Sequence, residues 1–240
     1  MSESYPDQRL IVALDFADSG SANALIRQLG DLVNFYKIGL GMIGSGGLEL
    51  AERLKKEEGK RVFLDLKLFD IASTVSAAVK SVLSLDPDFL TVQGEPHIVR
   101  AAVQARGAAP MRILAVTFLT SLNRKDLDES MITEGTMSDI TLERASRALT
   151  CGADGIICSP LEANQIRNLD QAAGKLIVTP GVRRSGTRHN GQKRIASPAD
   201  SLNNGADHLV IGRPITQSAN PCAAVLQILS ELPEPVMEAT

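Results

Sequence analysis

Eight short apolar segments alternate with amphipathic stretches along the chain, and this alternation limits the possible folds more than any other feature. The apolar segments have the length and the content of branched aliphatic residues that are typical of buried strands. The intervening stretches, such as 71–85 and 139–150, carry apolar residues at helical spacing. Apolar strands that are each followed by a helix predict a parallel sheet covered by helices. The predicted strands are residues 9–15, 34–40, 61–67, 88–93, 112–117, 154–158, 175–179 and 207–211.

The number of predicted strands distinguishes between two parallel α/β architectures. Eight strand–helix units predict a closed (β/α)8 barrel, the TIM barrel, and an open doubly wound sheet is the alternative. The first strand is followed by LDFADSGSAN, which lacks the GxGxxG pattern of many open dinucleotide-binding sheets. No linker rich in proline, glycine and serine divides the chain. We therefore predict a single barrel domain over residues 1–240.

Composition excludes several classes of function. The chain is 44% hydrophobic and 22% charged, which is ordinary for a globular protein, and its net charge of −3 argues against nucleic-acid binding. The three cysteines form no CxxC pair, which predicts reduced thiols and a cytoplasmic location. The histidines lack metal-ligand spacing, and neither a signal peptide nor an apolar run of the ~18 residues that a membrane span needs is evident.

The third predicted strand, within RVFLDLKLFDI, carries charged residues in an otherwise apolar run. Asp65 and Lys67 are two residues apart, so alternation places both side chains on one face of the strand. Asp70 follows at the predicted start of a helix, where it could also act as the N-cap. Burying ions costs several kcal/mol each unless they are paired. The pattern favours a functional charge cluster, and a structural ion pair is the alternative.

Polar residues also follow or end several other predicted strands. In a barrel of this type the active site lies at the C-terminal ends of the strands. For two of these residues a structural role is open, because Asp15 could cap a helix and Lys37 could be an exposed strand residue. The candidates at these strand ends are Asp15, Lys37, Thr120, Ser121, Pro180, Gly181, Arg183, Gly212 and Arg213.

The eighth strand predicts an anion site. Gly212 lets the backbone approach a ligand closely, and Pro214 is tolerated at the first position of a helix. Arg213 could bind a phosphate through two hydrogen bonds, and this part of a barrel is a recurrent phosphate site. Two connections, 118–138 and 180–197, are long enough to act as lids, although the basic residues of the second also fit a solvated loop. We predict a phosphate monoester as ligand.

Seven segments of the chain together point to one enzyme family. They are VALDF (12–16), YKIGL (36–40), FLDLKLFDIASTV (63–75), AVTFLTS (115–121), TPGVR (179–183), GQKR (191–194) and VIGRPIT (210–216). In content, order and spacing they resemble the orotidine 5′-phosphate decarboxylase family over nearly the whole chain. The Asp-x-Lys-x-x-Asp core alone is shared with related sugar-phosphate enzymes, whereas the full set is specific.

The resemblance implies a reaction and an assembly. Orotidine 5′-monophosphate would be decarboxylated to UMP and CO₂, the last step of de novo UMP biosynthesis, by a homodimer with shared active sites and without metal or organic cofactor. Lys67 would donate the proton within a charge network of Lys37, Asp65, Lys67 and Asp70, in which Asp70 reaches the partner's site. The implied substrate contacts are Asp15, Lys37 and the partner's Thr74 at the ribose, Thr120 and Ser121 at the pyrimidine, Arg183, Gln192, Gly212 and Arg213 at the phosphate, and Pro180 beside them.

The chain also departs from the family pattern at a few positions. Gln93 stands where the family often has histidine, Gly191 stands where it often has aspartate, and DIAST replaces a DIPNT-like run. None of these changes removes a charged catalytic group. Two other functions remain as alternatives: a metal-dependent 3-keto-L-gulonate 6-phosphate decarboxylase or hexulose-phosphate synthase, and an inactive nucleotide-binding homologue. The metal-dependent relatives carry an acid on the second strand, where this chain has Lys37.

Overall fold

The computed structural model describes residues 7–182 and 196–234, which form a closed parallel barrel. Each strand pairs with the next along the chain, and β1 closes the barrel against β8. The predicted (β/α)8 architecture is confirmed, and the open-sheet alternative is wrong. The outer limits of the predicted domain, 1 and 240, lie outside the described residues. The strands are β1 (Leu10–Ala13), β2 (Phe35–Gly39), β3 (Arg61–Leu68), β4 (Phe89–Gln93), β5 (Arg112–Val116), β6 (Gly155–Ile157), β7 (Leu176–Pro180) and β8 (His208–Ile211).

Helices surround the barrel, and several of them begin with a side-chain cap. The connection 118–138, predicted as a long loop, contains a short helix that begins with a capping box between Asn123 and Asp126. The predicted helix 71–85 ends earlier, at Val82, and continues as a 3₁₀ turn. The α-helices are α1 (Ser19–Leu29), α2 (Gly47–Lys56), α3 (Ala72–Val82), α4 (Pro96–Arg106), α5 (Arg124–Glu129), α6 (Met137–Thr150), α7 (Ala163–Arg167), α8 (Pro198–Asn203), α9 (Arg213–Thr216) and α10 (Pro221–Ser230).

Two apolar layers hold the fold together. The larger layer lies between the strands and the helices, where alternate strand residues such as Leu64 and Leu90 are fully buried. The smaller layer fills the barrel interior and includes Phe35, Phe63 and Phe89, whose rings meet edge to face. The interior is therefore a packed core, and ligand access is confined to the ends of the barrel.

Two sequence expectations about the charged residues are corrected by the structure. β1 ends at Ala13, so Asp15 lies in the loop after the strand and not in it. Asp70 is not the N-cap of α3: the cap position is Ile71, and the Asp70 carboxylate accepts a hydrogen bond from the Ile71 N–H. Lys67 lies within β3, as predicted, although its φ of +47° departs from regular strand geometry. Each correction concerns a strand end, where pairing stops and local contacts take over.

The N-terminal end of the barrel carries three similar carboxylate clamps. Each is an aspartate that stands immediately before an even-numbered strand and accepts the N–H of the second residue of the preceding strand. Asp154, for example, accepts the N–H of Ile113 at 2.9 Å and pairs with Arg106 at 2.9 Å. The other two clamps are Asp88, with Val62 N–H, Lys55 and Arg61, and Asp207, with Ile177 N–H and Arg167.

A histidine and an arginine close the interior at the same end. The ring of His208 lies edge-on to Phe35 and Phe89, and the guanidinium of Arg61 lies 4.0 Å from the centroid of the Phe35 ring. Burial, followed by the charge of Arg61, lowers the pKa of His208 to about 4. His208 is therefore neutral at pH 7.

No helix in the described part of the chain is long and apolar enough to cross a membrane.

Candidate active site

A cavity of about 370 Å³ opens at the C-terminal end of the barrel. Its size lies within the range of small-ligand sites. Most of the candidate residues from the sequence that lie in the described chain line this cavity. The lining residues are Ala13, Asp15, Lys37, Gly39, Leu40, Phe63, Asp65, Lys67, Val116, Phe118, Leu119, Thr120, Ser121, Ile157, Pro180, Gly181, Val210, Gly212 and Arg213.

Four charged side chains form an alternating row along one wall of the cavity. The Lys37 ammonium lies 3.0 Å from Asp15 Oδ1 and 3.2 Å from Asp65 Oδ2. The other carboxylate oxygen of Asp65 accepts a hydrogen bond from Lys67 Nζ at 2.7 Å. The order is therefore Asp15, Lys37, Asp65, Lys67. The predicted pair of Asp65 and Lys67 exists and extends to two neighbouring strand ends, β1 and β2.

Burial differs along this row. The side chains of Lys37 and Asp65 are 9% and 13% exposed, whereas Lys67 and Asp15 are 32% and 64% exposed. Burial acts to raise the pKa of Asp65, but Lys37, Lys67 and two hydrogen bonds outweigh it and hold that pKa below its usual value. Burial acts to lower the pKa of Lys37, but Asp65 and Asp15 outweigh it and raise that pKa. The two inner members of the row therefore stay charged at neutral pH.

An irregularity in β3 brings Lys67 to its position. Leu64 pairs with Leu90 and Leu68 pairs with Val92, so three residues of β3 face the single residue Thr91 of β4. Within this bulge Lys67 has a positive φ of +47°, which costs about 1–3 kcal/mol for a residue other than glycine. The Lys67 N–H donates to the Thr91 hydroxyl at 2.9 Å instead of to a strand carbonyl. The bulge thus aims the lysine at the cavity.

A glycine leaves room for the outer ion pair. A Cβ atom on Gly39 would lie 2.9 Å from Asp15 Oδ1 and 3.2 Å from Lys37 Nζ. The first distance is shorter than real contacts of this kind. A residue larger than glycine at position 39 would therefore force the Asp15 carboxylate to shift.

The wall opposite the charged row is apolar and is braced from outside. Phe118, which follows β5, is buried against the cavity, and the guanidinium of Arg144 lies 4.5 Å from the centroid of its ring. Arg144 pairs in turn with Glu95, which follows β4, at 2.5 Å. Thr120 and Ser121 continue the same loop and line the cavity. This arrangement offers an apolar face with hydroxyl groups at its edge.

The remaining side of the cavity carries the predicted anion site. Pro180 ends β7 and Gly181 follows it, and Gly212 and Arg213 follow β8. The Arg213 side chain is exposed at the rim, at the start of the short helix α9. The predicted start of a helix near Pro214 is confirmed. Arg183 and Gln192, together with Gly191 and the rest of 183–195, lie outside the described residues.

Two predicted site residues do not line this cavity. Asp70 and Thr74 are both exposed, and Asp70 makes no ion pair within residues 7–182 and 196–234. Large apolar side chains are exposed around them: Phe69 and Ile71 flank Asp70, and Leu40 follows the neighbouring strand β2, with exposures of 66%, 68% and 67%. Exposed apolar groups of this size mark a surface that is suited to a protein partner.

Reasoning from sequence missed two residues of the site. Thr91 has no charge and lies in an apolar strand, so only the register of β3 against β4 reveals its contact with Lys67. Gly39 follows Lys37 by two residues and lies close to the ion pair. The glycine two positions after this lysine, in KIGLG, was the signal in the sequence that could have identified it. No cluster of three or more His, Cys, Asp or Glu residues that could hold a metal ion is found in the described segments.

A parallel barrel with its charged residues gathered at the C-terminal strand ends has the layout of a barrel enzyme. Residues 8–228 match the family described as "Orotidine 5'-phosphate decarboxylase / HUMPS family". The orotidine 5'-phosphate decarboxylase of Cereibacter sphaeroides is 59% identical over 227 residues, which are 95% of this chain and 98% of that protein. The corresponding protein of Ruegeria pomeroyi is 56% identical over 95% of each chain.

Solved structures agree with the sequence comparisons. The crystal structure of orotidine 5'-phosphate decarboxylase from Lactobacillus acidophilus superposes with a TM-score of 0.81 at 32% identity, covering 94% of this chain and 99% of that one. An uncharacterized conserved protein from Geobacillus kaustophilus gives a TM-score of 0.78 at 29% identity, covering 92% and 99%. The chain belongs to the orotidine 5′-phosphate decarboxylase / HUMPS family.

Proposed function

We propose that this protein decarboxylates orotidine 5′-monophosphate to UMP and CO₂. The observation that carries the proposal is the alternating row of Asp15, Lys37, Asp65 and Lys67, which places one partly exposed ammonium at the cavity wall. Membership of the family and the identity of 59% to a protein named orotidine 5'-phosphate decarboxylase support it. UMP formation by this reaction is the last step of de novo pyrimidine synthesis.

The chemistry requires charge to be stabilised at a carbon atom. The bond between C6 of the pyrimidine and the carboxylate breaks, CO₂ leaves, and the electron pair stays on C6. The Lys67 ammonium stabilises this developing carbanion and then donates a proton to form the C6–H bond. Asp65 holds the ammonium at 2.7 Å, so little reorganisation is needed during the reaction. The lysine is thus both the electrostatic catalyst and the acid.

The rest of the cavity has a matching part for each part of the nucleotide. Asp15 and Lys37 bind the ribose hydroxyls, and Thr120 and Ser121 contact the pyrimidine beside the apolar wall of Phe118. Gly212 and Arg213, with Pro180 nearby, hold the phosphate at the ends of β7 and β8. We assign Arg183 and Gln192 to the same phosphate on the basis of the sequence motifs alone. Remote binding of the phosphate then contributes to catalysis at C6.

The metal-dependent alternative conflicts with the position of one side chain. The Lys37 ammonium lies between the carboxylates of Asp15 and Asp65, within 3.2 Å of each. A divalent cation held by these two carboxylates would meet a positive charge at the same place. We therefore propose a reaction that uses neither metal nor organic cofactor.

We also propose that the protein acts as a homodimer whose partner completes each site. The support is that Asp70 and Thr74 are exposed on the same face as Leu40, Phe69 and Ile71. Burying this apolar face against a second copy would bring the partner's Asp70 and the partner's Thr74 to the open side of the cavity. A second carboxylate near Lys67 would continue the alternation of charges.

The dimer proposal has a complementation test. Lys67→Ala and Asp70→Ala variants are each expected to be inactive alone. If the site is shared, one site of each mixed dimer contains both native residues, so refolding equal amounts together should restore up to about a quarter of the native activity. The absence of any restored activity, with mixed dimers shown to be present, would refute the shared site.

The function itself is tested by following the loss of orotidylate absorbance with purified protein. We expect turnover that is unchanged by EDTA, together with formation of UMP in equal amount to the CO₂ released. Activity that depends on added Mg²⁺ would favour the metal-dependent alternative, and binding without turnover would favour an inactive homologue. The cysteines within the described residues form no disulfide, in keeping with the cytoplasmic location that we propose.

A further inference from the structure

Thr91 connects two parts of the charged row while remaining outside the cavity. Its side chain is fully buried on β4, and it is absent from the cavity wall. Its hydroxyl donates a hydrogen bond to Asp65 Oδ1 at 2.9 Å and accepts one from the Lys67 N–H at 2.9 Å. The same carboxylate oxygen accepts a hydrogen bond from the Lys67 ammonium at 2.7 Å. Thr91, Asp65 and Lys67 therefore form a closed ring of hydrogen bonds.

The direction of these bonds is fixed by chemistry. A hydroxyl group has one proton, and a backbone N–H can only donate, so the Thr91 oxygen must accept from Lys67 and its proton must point to Asp65. The branched side chain of threonine restricts rotation about χ1, which holds the hydroxyl in this orientation. Because the bulge interrupts the pairing of β3 with β4 here, the Lys67 N–H donates to this hydroxyl and not to a carbonyl of the ladder.

We propose that Thr91 is a positioning residue for the decarboxylation: its hydroxyl ties the Asp65 carboxylate to the backbone of Lys67 and so fixes the lysine ammonium beside the reacting carbon. Thr91 acts through Asp65 and Lys67 and does not touch the substrate. This inference rests on the proposed function, since the reaction defines where the ammonium must be. The strained backbone of Lys67 then serves to orient the ammonium before the substrate binds.

A purely structural role for Thr91 makes a different prediction. If its hydroxyl only satisfied buried polar groups, its loss would lower stability, and the folded fraction would turn over normally. If it positions Lys67, turnover falls while substrate binding is kept, because the groups that line the cavity are unchanged. The structural role and the positioning role are therefore distinguished by kcat measured per folded molecule.

The test compares Thr91→Val, which keeps the shape but lacks the hydroxyl, with Thr91→Ser, which keeps the hydroxyl. For Thr91→Val we expect kcat to fall about 10- to 100-fold with KM within about threefold of the native value, because a buried donor and a charged acceptor each lose a partner. For Thr91→Ser we expect kcat within about threefold of native. Should Thr91→Val fail to fold, Thr91→Ala and Thr91→Ser give the same comparison.

Thr179→Val is the matched control. Thr179 is a fully buried strand threonine on β7, and it does not line the cavity; among the described residues its hydroxyl donates only to the His208 carbonyl, at 3.5 Å. The Thr179→Val variant should keep the native kcat even if its thermal unfolding midpoint falls. Native kcat in folded Thr91→Val, or equal losses in the serine and hydroxyl-free variants, would overturn the proposal. Native protein that fails to decarboxylate orotidylate would instead overturn the proposed function.

Amide hydrogen exchange gives a readout that does not depend on turnover. The Lys67 N–H should exchange slowly in the native protein and in Thr91→Ser, because the serine hydroxyl can still accept its hydrogen bond. In the variant without a hydroxyl it should exchange at least about tenfold faster, while the amides of β7 stay unchanged. Equal protection of Lys67 in all three proteins would also overturn the proposal.

Discussion

The two ends of the barrel both concentrate charged residues, but they connect them differently. At the N-terminal end each clamp aspartate is held by a backbone N–H and by a basic side chain, as Asp154 is by Ile113 and Arg106. At the C-terminal end Asp65 is held, within the described residues, by the side chains of Lys37, Lys67 and Thr91 and by no backbone donor. The carboxylates at the N-terminal end are bonded to the strand backbone, whereas the charged groups at the C-terminal end are bonded mainly to one another.

This difference shows how one fold separates stability from reactivity. A carboxylate that accepts a backbone N–H fixes the register of its strands, and its removal leaves a buried donor without a partner. A row of alternating ions keeps its members charged and leaves its outer members, Asp15 and Lys67, partly exposed to a ligand. Substitutions at the two ends should therefore affect different quantities, and the following experiments test that separation.

The largest effect is expected for Lys67→Ala at the C-terminal end. Turnover should fall by about 10⁴-fold or more, because both the proton donor and the charge beside C6 are lost, while UMP binding remains measurable. The control is Lys55→Ala, which removes a lysine that is paired with Asp88 at the opposite end. It should keep native kcat. Near-native turnover of Lys67→Ala in the orotidylate assay would exclude Lys67 as the proton donor.

Asp154→Asn tests the N-terminal end. The free energy of unfolding in urea should fall by roughly 2–4 kcal/mol, because Arg106 loses its charged partner in a largely buried site. kcat of the folded protein should be native. Glu143→Gln breaks an exposed helical pair with Arg147 and should cost under about 0.5 kcal/mol. A loss of kcat in Asp154→Asn without loss of stability would contradict the proposed separation.

Arg213→Ala sharpens the view of the cavity rim. On orotidine 5′-monophosphate, kcat/KM should fall roughly 10- to 100-fold, since a charge-assisted contact to phosphate is lost. Activity on the nucleoside without phosphate should barely change. Arg112→Ala, an exposed arginine at the other end, is the control and should be native on both substrates. Equal losses on the two substrates would remove the phosphate role of Arg213.

The smallest effect concerns His208 and pH. Between pH 6.5 and about 4 this histidine is neutral in the folded protein and protonated in the unfolded chain, so the unfolded state binds more protons and stability falls as pH falls. From pH 7 to pH 5 the loss should be roughly 1–2 kcal/mol in urea unfolding. His208→Gln should show a correspondingly flatter dependence. An unchanged slope in that variant would assign the pH effect to other groups.

The sequence could predict two kinds of feature: elements that show a regular pattern of apolar residues, and site residues whose side chains are charged. Eight apolar runs gave the barrel, and the charges of Asp65 and Lys67 gave the core of the site. The bounds of β1 and the cap of α3 were wrong, because strand and helix ends depend on local hydrogen bonds that composition does not specify. The bulge opposite Thr91 depends on the register between two strands, and no pattern within one strand reports it.

The carboxylate clamps at the N-terminal end have a consequence for how the chain assembles. Each clamp joins an odd-numbered strand to the strand that follows it in sequence, as Asp88 joins β3 to β4 through Val62. Three of the four such strand pairs therefore carry a connection of short sequence separation, which forms at low entropic cost. These three strand pairs can in this sense take their register before the ring closes.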